Sequence, residues 1–91
     1  MLKAISPQKV TDDSLGYIVQ VVDRYHVEYI ESSRQTSVEV DFCSIIGIYQ
    51  STLTAWNTPD GNLPMSDGER RNVLSRIERA LQFMGSKVEL Y

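Results

Sequence analysis

The stretch SDGERRNVLSRIERALQFMG, from Ser66 to Gly85, decides how this chain is read. Ser66 and Glu69 form the S-x-x-E capping box. In that motif the serine oxygen accepts from the backbone N–H three residues on, and the glutamate reaches back to the serine's own N–H. Val73, Leu74, Ile77, Ala80, Leu81 and Met84 then recur at helical spacing. Gly85 stands where a helix needs a left-handed stop. The spacing predicts an amphipathic helix from about Asp67 to Met84, roughly 27 Å long at the standard rise per residue. That length covers several strands. After the helix, Val88 and Leu90 alternate with Lys87 and Glu89 as in a half-buried closing strand.

Working outward, the residues before the helix read as short strands. Tyr17–Val22 is β-branched and aromatic, which suits a pleated surface. His26–Glu31, Thr36–Phe42 and Ile45–Tyr49 follow, separated by Asp23-Arg24 and by Ser32-Ser33-Arg34-Gln35. Short connections favour antiparallel neighbours. The expected fold is therefore α+β: an antiparallel β-meander of four to six strands, one long C-terminal amphipathic helix packed on one face, and a short closing strand. Residues 50–65 read as a loop with Pro59-Asp60-Gly61 as its turn. Residues 1–16 offer at most a short edge strand through Ile5 and Val10, with Thr11-Asp12-Asp13-Ser14 turn-like. Residues 1–91 read as one domain.

Composition narrows the function classes. With 42% hydrophobic and 23% charged residues the chain resembles an ordinary globular domain, not a disordered one. A net charge of −3 disfavours nonspecific nucleic-acid binding, which rests on lysine and arginine contacts to phosphate. No apolar run is long enough to span a bilayer and none near the start resembles a signal peptide, so the expected location is cytoplasmic, without membrane attachment. Cys43 is the single cysteine, which excludes an internal disulfide and a multi-thiolate zinc site. His26 is the single histidine. No G-x-S-x-G elbow accompanies it, and neither a triad nor a Cys43–His26 pair is supported. Cys43 reads as a small, partly buried hydrophobe. Asp12-Asp13 alone is no metal site. The chain reads as a non-enzyme with no cofactor.

Alternation assigns faces. Val38, Val40 and Phe42 point to the core, as do Val27 and Tyr29, so Glu28, Glu39 and Asp41 point away from the helix. They form either a contact surface for a basic partner or the polar covering that any solvated sheet face carries. Trp56 is either a binding hot spot or the plug of a small core. Arg71, Arg76 and Arg79 spread around the polar half of the helix and read as a solvated face. Arg70 falls in line with the apolar stripe, where it can snorkel or pair with an acid across the helix–sheet seam.

The order of features resembles a known family. The loop Ser51-Thr52-Leu53-Thr54-Ala55-Trp56 is followed by Leu63-Pro64-Met65-Ser66 and by a helix of the type S-x-x-E-R-x-x-(I/V)-L-x-x-I-x-x-A-L-x-F-x-G, closed by Lys87-Val88-Glu89-Leu90. This is similar to small immunity proteins of bacterial polymorphic-toxin and contact-dependent growth-inhibition systems, over about the last forty residues. The resemblance implies a cytoplasmic protein that neutralises the toxic C-terminal domain of a delivered toxin, often a nuclease, by stoichiometric binding. The cognate toxin domain would be the partner, basic in charge. Contact residues in such families vary with the toxin, so no site transfers by motif. Glu28, Glu39, Asp41 and Trp56 are the partner-binding candidates from the residues themselves. The alternatives are a generic protein–protein adaptor and a small-ligand binder using the helix–sheet seam.

Overall fold

Six strands lead the chain back and forth before it turns away: β1 (Leu2–Ser6), β2 (Lys9–Asp12), β3 (Tyr17–Val21), β4 (His26–Glu31), β5 (Arg34–Phe42) and β6 (Ile46–Tyr49). Each pairs antiparallel with the next. A computed structural model describes residues 1–91. Beyond β6 a short 3₁₀ turn (Gln50–Thr52) leads into a hairpin of β7 (Ala55–Thr58) and β8 (Gly61–Pro64). Helix α1 (Asp67–Phe83) and β9 (Val88–Leu90) follow. The architecture is α+β, a curled, mostly antiparallel sheet with one C-terminal helix, and no helix is long and apolar enough to cross a membrane.

The sheet has nine strands, more than the four to six the sequence predicts. Two hairpins account for the excess. β1 and β2 form a hairpin where the sequence offers at most one short edge strand through Ile5 and Val10; β1 has no fully buried residue, so its pattern is weak. β7 and β8 are four residues each and lie in what reads as a loop. Pro59-Asp60-Gly61 does make the turn, but between two paired strands; Thr58 Oγ1 accepts from the Asp60 amide and donates to the Gly61 carbonyl. Pro64 is tolerated because β8 pairs only with β7 and leaves its other edge free.

The closing strand also departs from expectation. β9 lies parallel to β6, with Ile46, Gly47 and Ile48 facing Val88, Glu89 and Leu90. Parallel neighbours need a long crossover, and α1 with the preceding hairpin provides one.

Strand β5 organises the far side of the meander. Its C-terminal half pairs with β6, while Gln35 near its start pairs with Asn57 of β7 on the same edge. Threonines bridge the gap between those two neighbours. Thr52 Oγ1 accepts from the Glu39 amide at 2.9 Å and donates to the Tyr49 carbonyl at 2.7 Å. Buried Thr36 donates to the Ala55 carbonyl at 2.8 Å. Side-chain oxygens thus take the place of ladder partners that the turn removes, as buried backbone groups require.

The helix ends as its sequence implies. Both arms of the capping box are made: the Glu69 amide donates to Ser66 Oγ at 3.2 Å, and the Ser66 amide donates to Glu69 Oε1 at 3.0 Å. At the other end Gly85 adopts φ 96°, its amide donates to Gln82, and the Ser86 amide donates to Leu81. That is the paired closure of a Schellman stop, which needs a left-handed residue. Val73, Leu74, Ile77, Ala80 and Leu81 are buried against Val19, Val27, Val38, Val40 and Ile48 of the sheet. Phe42 is only partly buried at the core margin. Ile77 is fully enclosed at mid-helix. We expect Ile77→Ala to cost on the order of 2–5 kcal/mol through lost burial and a residual cavity, read as a lowered denaturant midpoint with unchanged slope.

Candidate functional site

The helix covers one face of the sheet and leaves the other to solvent. The registers build that outer face row by row. One row runs Lys9, Gln20, Glu28, Ser37; the next His26, Glu39, Tyr49; the next Asp41, Gly47, Glu89. Glu28, Glu39 and Asp41 therefore share the face the sequence assigns them, Glu39 exposed and the other two half-buried. Glu28 on β4 is diagonal to Glu39 on β5; Asp41 follows Glu39 along β5, and Glu89 lies in the row of Asp41 with Gly47 between them. None of the four carboxylates has a basic nitrogen within ion-pair distance. His26 does not serve them: its Nδ1 lies 3.0 Å from Asp23 in the β3–β4 turn.

Gly47 is the gap in this face. A methyl group there would run into the ring of Tyr91, which lies across the glycine. Tyr49 stands beside it, the two ring centroids 5.6 Å apart with planes at 55°. Both rings are open to water, Tyr49 at 39% and Tyr91 at 57%. The charges of Glu89 first, with a smaller contribution from Asp41, push the Tyr91 phenol above its ordinary value. Sequence reasoning passes over Tyr49, Glu89 and Tyr91. The available signal was Gly47, since a glycine inside a strand marks close approach by another group.

The chain's arginines go the other way, into the helix–sheet seam. Tyr17, Tyr29 and Trp56 form a row of rings with centroid spacings of 5.4 and 6.0 Å. Arg76 lies 5.0 Å over Tyr17 and Arg34 lies 4.0 Å over Trp56. Arg76 donates to the Tyr29 hydroxyl at 2.8 Å and to Glu31 at 2.9 Å; Arg34 donates to Glu31 at 2.9 Å and to Glu69 at 3.1 Å. Trp56 Nε1 donates to the same Glu69 oxygen at 3.2 Å.

These contacts correct three expectations. Trp56 is 2% exposed and covered by Arg34, so it does not join Glu28, Glu39 and Asp41 on an accessible surface; its geometry is that of the core plug. Arg76 is not solvated, because its position on the flank of the apolar stripe lets its long side chain reach back to the sheet. Arg70 crosses the seam to a backbone carbonyl, that of Gln50 at 3.2 Å, and not to an acid. Cys43 is a further correction: the β5–β6 turn leaves it exposed. Asp12 ends β2 and accepts the Ser14 and Leu15 amides, a turn-capping role.

No grouping of three histidine, cysteine or carboxylate side chains has metal-binding geometry. Two shallow grooves, of about 350 and 340 Å³, have one hydrophobic residue each, Ile30 and Leu74, among otherwise polar or small lining residues. Small-molecule sites are mostly apolar in lining, and the seam itself is filled by side chains. What the outer face can do chemically is attract and hold positive charge. No protein-family model, curated protein or solved structure matches this chain.

The seam also predicts an acid response. Burial pushes the Glu31 carboxyl up, but hydrogen bonds from Arg34 and Tyr29 and the charges of both arginines outweigh it and hold the group below the ordinary 4.5. The Ser66 amide, then Trp56, Ser66 Oγ and Arg34, hold Glu69 below 4.5 as well. A depressed carboxylate stabilises the fold above its unfolded pKa, and the contribution disappears as pH falls through the folded value. The melting temperature should stay flat down to about pH 5 and then decline. Glu31→Gln should lower it at neutral pH and flatten the acid decline; an unchanged acid limb would assign the decline to other carboxylates.

Proposed function

We propose that this chain is a non-catalytic binding domain that neutralises a basic partner by stoichiometric docking on the outer face of its sheet. In line with the family resemblance of the α1 region, the partner is the toxin domain of a bacterial contact-dependent system and the chain acts as its immunity protein in the cytoplasm. One observation carries the reading. Every arginine ion pair in the chain is made inside the helix–sheet seam, while Glu28, Glu39, Asp41 and Glu89 stand on the open face with no cation of their own.

Unpaired like charges on one face repel one another, and a basic partner relieves that repulsion on docking. Such a surface steers association more than it sets final affinity. The half-exposed Ile18 and Ile30, paired across β3 and β4, add an apolar patch one row beyond Glu28 on the same face.

The test uses the toxin domain encoded beside this chain's gene. Cells expressing that domain should survive when this chain is co-expressed. Glu39→Lys/Asp41→Lys should remove protection while circular dichroism reports an unchanged fold. Association with the purified toxin domain should slow as salt rises, because the Debye length is about 10 Å at 0.1 M, and dissociation should change less. Full protection by the folded double variant, or gene neighbours without a toxin domain, would overturn the proposal.

A further inference from the structure

The outer face contains half of an arrangement that the interior contains whole. Inside, Arg34 lies over the Trp56 ring and its nitrogens end on the Glu31 and Glu69 carboxylates. Arg76 repeats this over Tyr17 with Glu31. Each time an aromatic face holds the guanidinium plane and a carboxylate takes its edge. This is the pairing for which arginine is suited and lysine is not.

Outside, rings and carboxylates stand together without a cation. Tyr49 and Tyr91 open towards solvent at 55° to each other. Glu39 is the cross-strand partner of Tyr49. Asp41 and Glu89 flank Gly47 in the next row, and Tyr91 lies across that glycine. Neighbouring strands are about 4.8 Å apart, so a side chain stacked on Tyr91 has carboxylates within one strand spacing on either side.

We infer that the exposed Tyr91 ring, seated on Gly47 beside Tyr49 and flanked by Glu39, Asp41 and Glu89, stacks against an arginine side chain of the basic partner. The inference rests on the docking reading above and deepens it, by naming the residue type that anchors the partner. The glycine has a defined part in it. Any side chain at position 47 would displace the Tyr91 ring and leave the acids without an aromatic face beside them. The raised Tyr91 phenol fits the same surroundings, since nearby carboxylates disfavour a further negative charge.

The probe is hexa-arginine, titrated into isotope-labelled protein at low salt and followed by NMR, with hexalysine in parallel. Hexa-arginine should shift the amides of Glu39, Asp41, Gly47 and Glu89 and the ring signals of Tyr49 and Tyr91, and should bind more tightly than hexalysine. Tyr91→Leu should weaken hexa-arginine binding by about threefold or more, the scale of an exposed cation–π contact. Tyr91→Phe should bind like the parent. Gly47→Ala alters no charge and should weaken binding as Tyr91→Leu does. Circular dichroism establishes that each variant is folded.

Parent-like affinity of the folded Tyr91→Leu and Gly47→Ala variants, or hexalysine binding as tight as hexa-arginine binding, would overturn the arginine contact and leave the acidic docking face standing. Hexa-arginine shifts confined to other surfaces would overturn both. Shifts of these same residues with protein concentration alone would make a second copy of this chain the occupant and overturn the inference.

Discussion

Glu69 receives hydrogen bonds from three parts of the molecule at once. One oxygen accepts the Ser66 amide and closes the capping box; the other accepts Trp56 Nε1 from β7 and an Arg34 nitrogen from the start of β5. A carboxylate in the first turn of a helix is already favoured by the helix dipole. Here the same charge also neutralises an arginine that covers the core tryptophan. Helix start, added hairpin and meander are thereby located relative to one another by a single side chain. Glu31 repeats the arrangement one step along the seam, between Arg34 and Arg76.

This pairing has a consequence for the surface. Arg34 and Arg76 are committed to the seam, where rings and carboxylates hold them in place. The polypeptide has 9 lysines and arginines against 12 acids. The seam pairs these two arginines with two carboxylates, Glu31 and Glu69, so its own charges balance and the net charge is left to the rest of the molecule. The acidic character on which the proposed docking role depends comes from where Glu28, Glu39, Asp41 and Glu89 are placed, on β4, β5 and β9 without an ion-pair partner.

Much of this was legible in the sequence where local chemistry and burial agree. The Ser66–Glu69 box and Gly85 delimit a helix whose ends lie where they place it, and strict alternation in residues 36–42 sorts Val38 and Val40 from Glu39 and Asp41. The rest depends on non-local partners. The β1 strand buries only part of Leu2 against the core, too little for a hydrophobic pattern to record. The strands β7 and β8 are too short to show a period. The parallel direction of β9 depends on the path of the whole crossover. Arg76 illustrates the limit at the level of side chains: its place beside the apolar stripe admits either water or the seam, and only the Tyr29–Glu31 pair across the sheet decides between them.

The parallel pairing of β6 with β9 also dictates an order of events during synthesis. The partner of Ile46 lies about forty residues further along the chain. Until residues 88–90 have emerged and α1 has folded across the sheet, the β6 edge carrying Ile46 and Ile48 has no strand beside it. An open edge of that kind is a template for pairing with another chain, and contacts of such long sequence separation form late. The acids along neighbouring β5 make the nascent surface electrostatically repulsive to its own copies. They thereby discourage edge-to-edge aggregation in the interval before β9 closes the sheet.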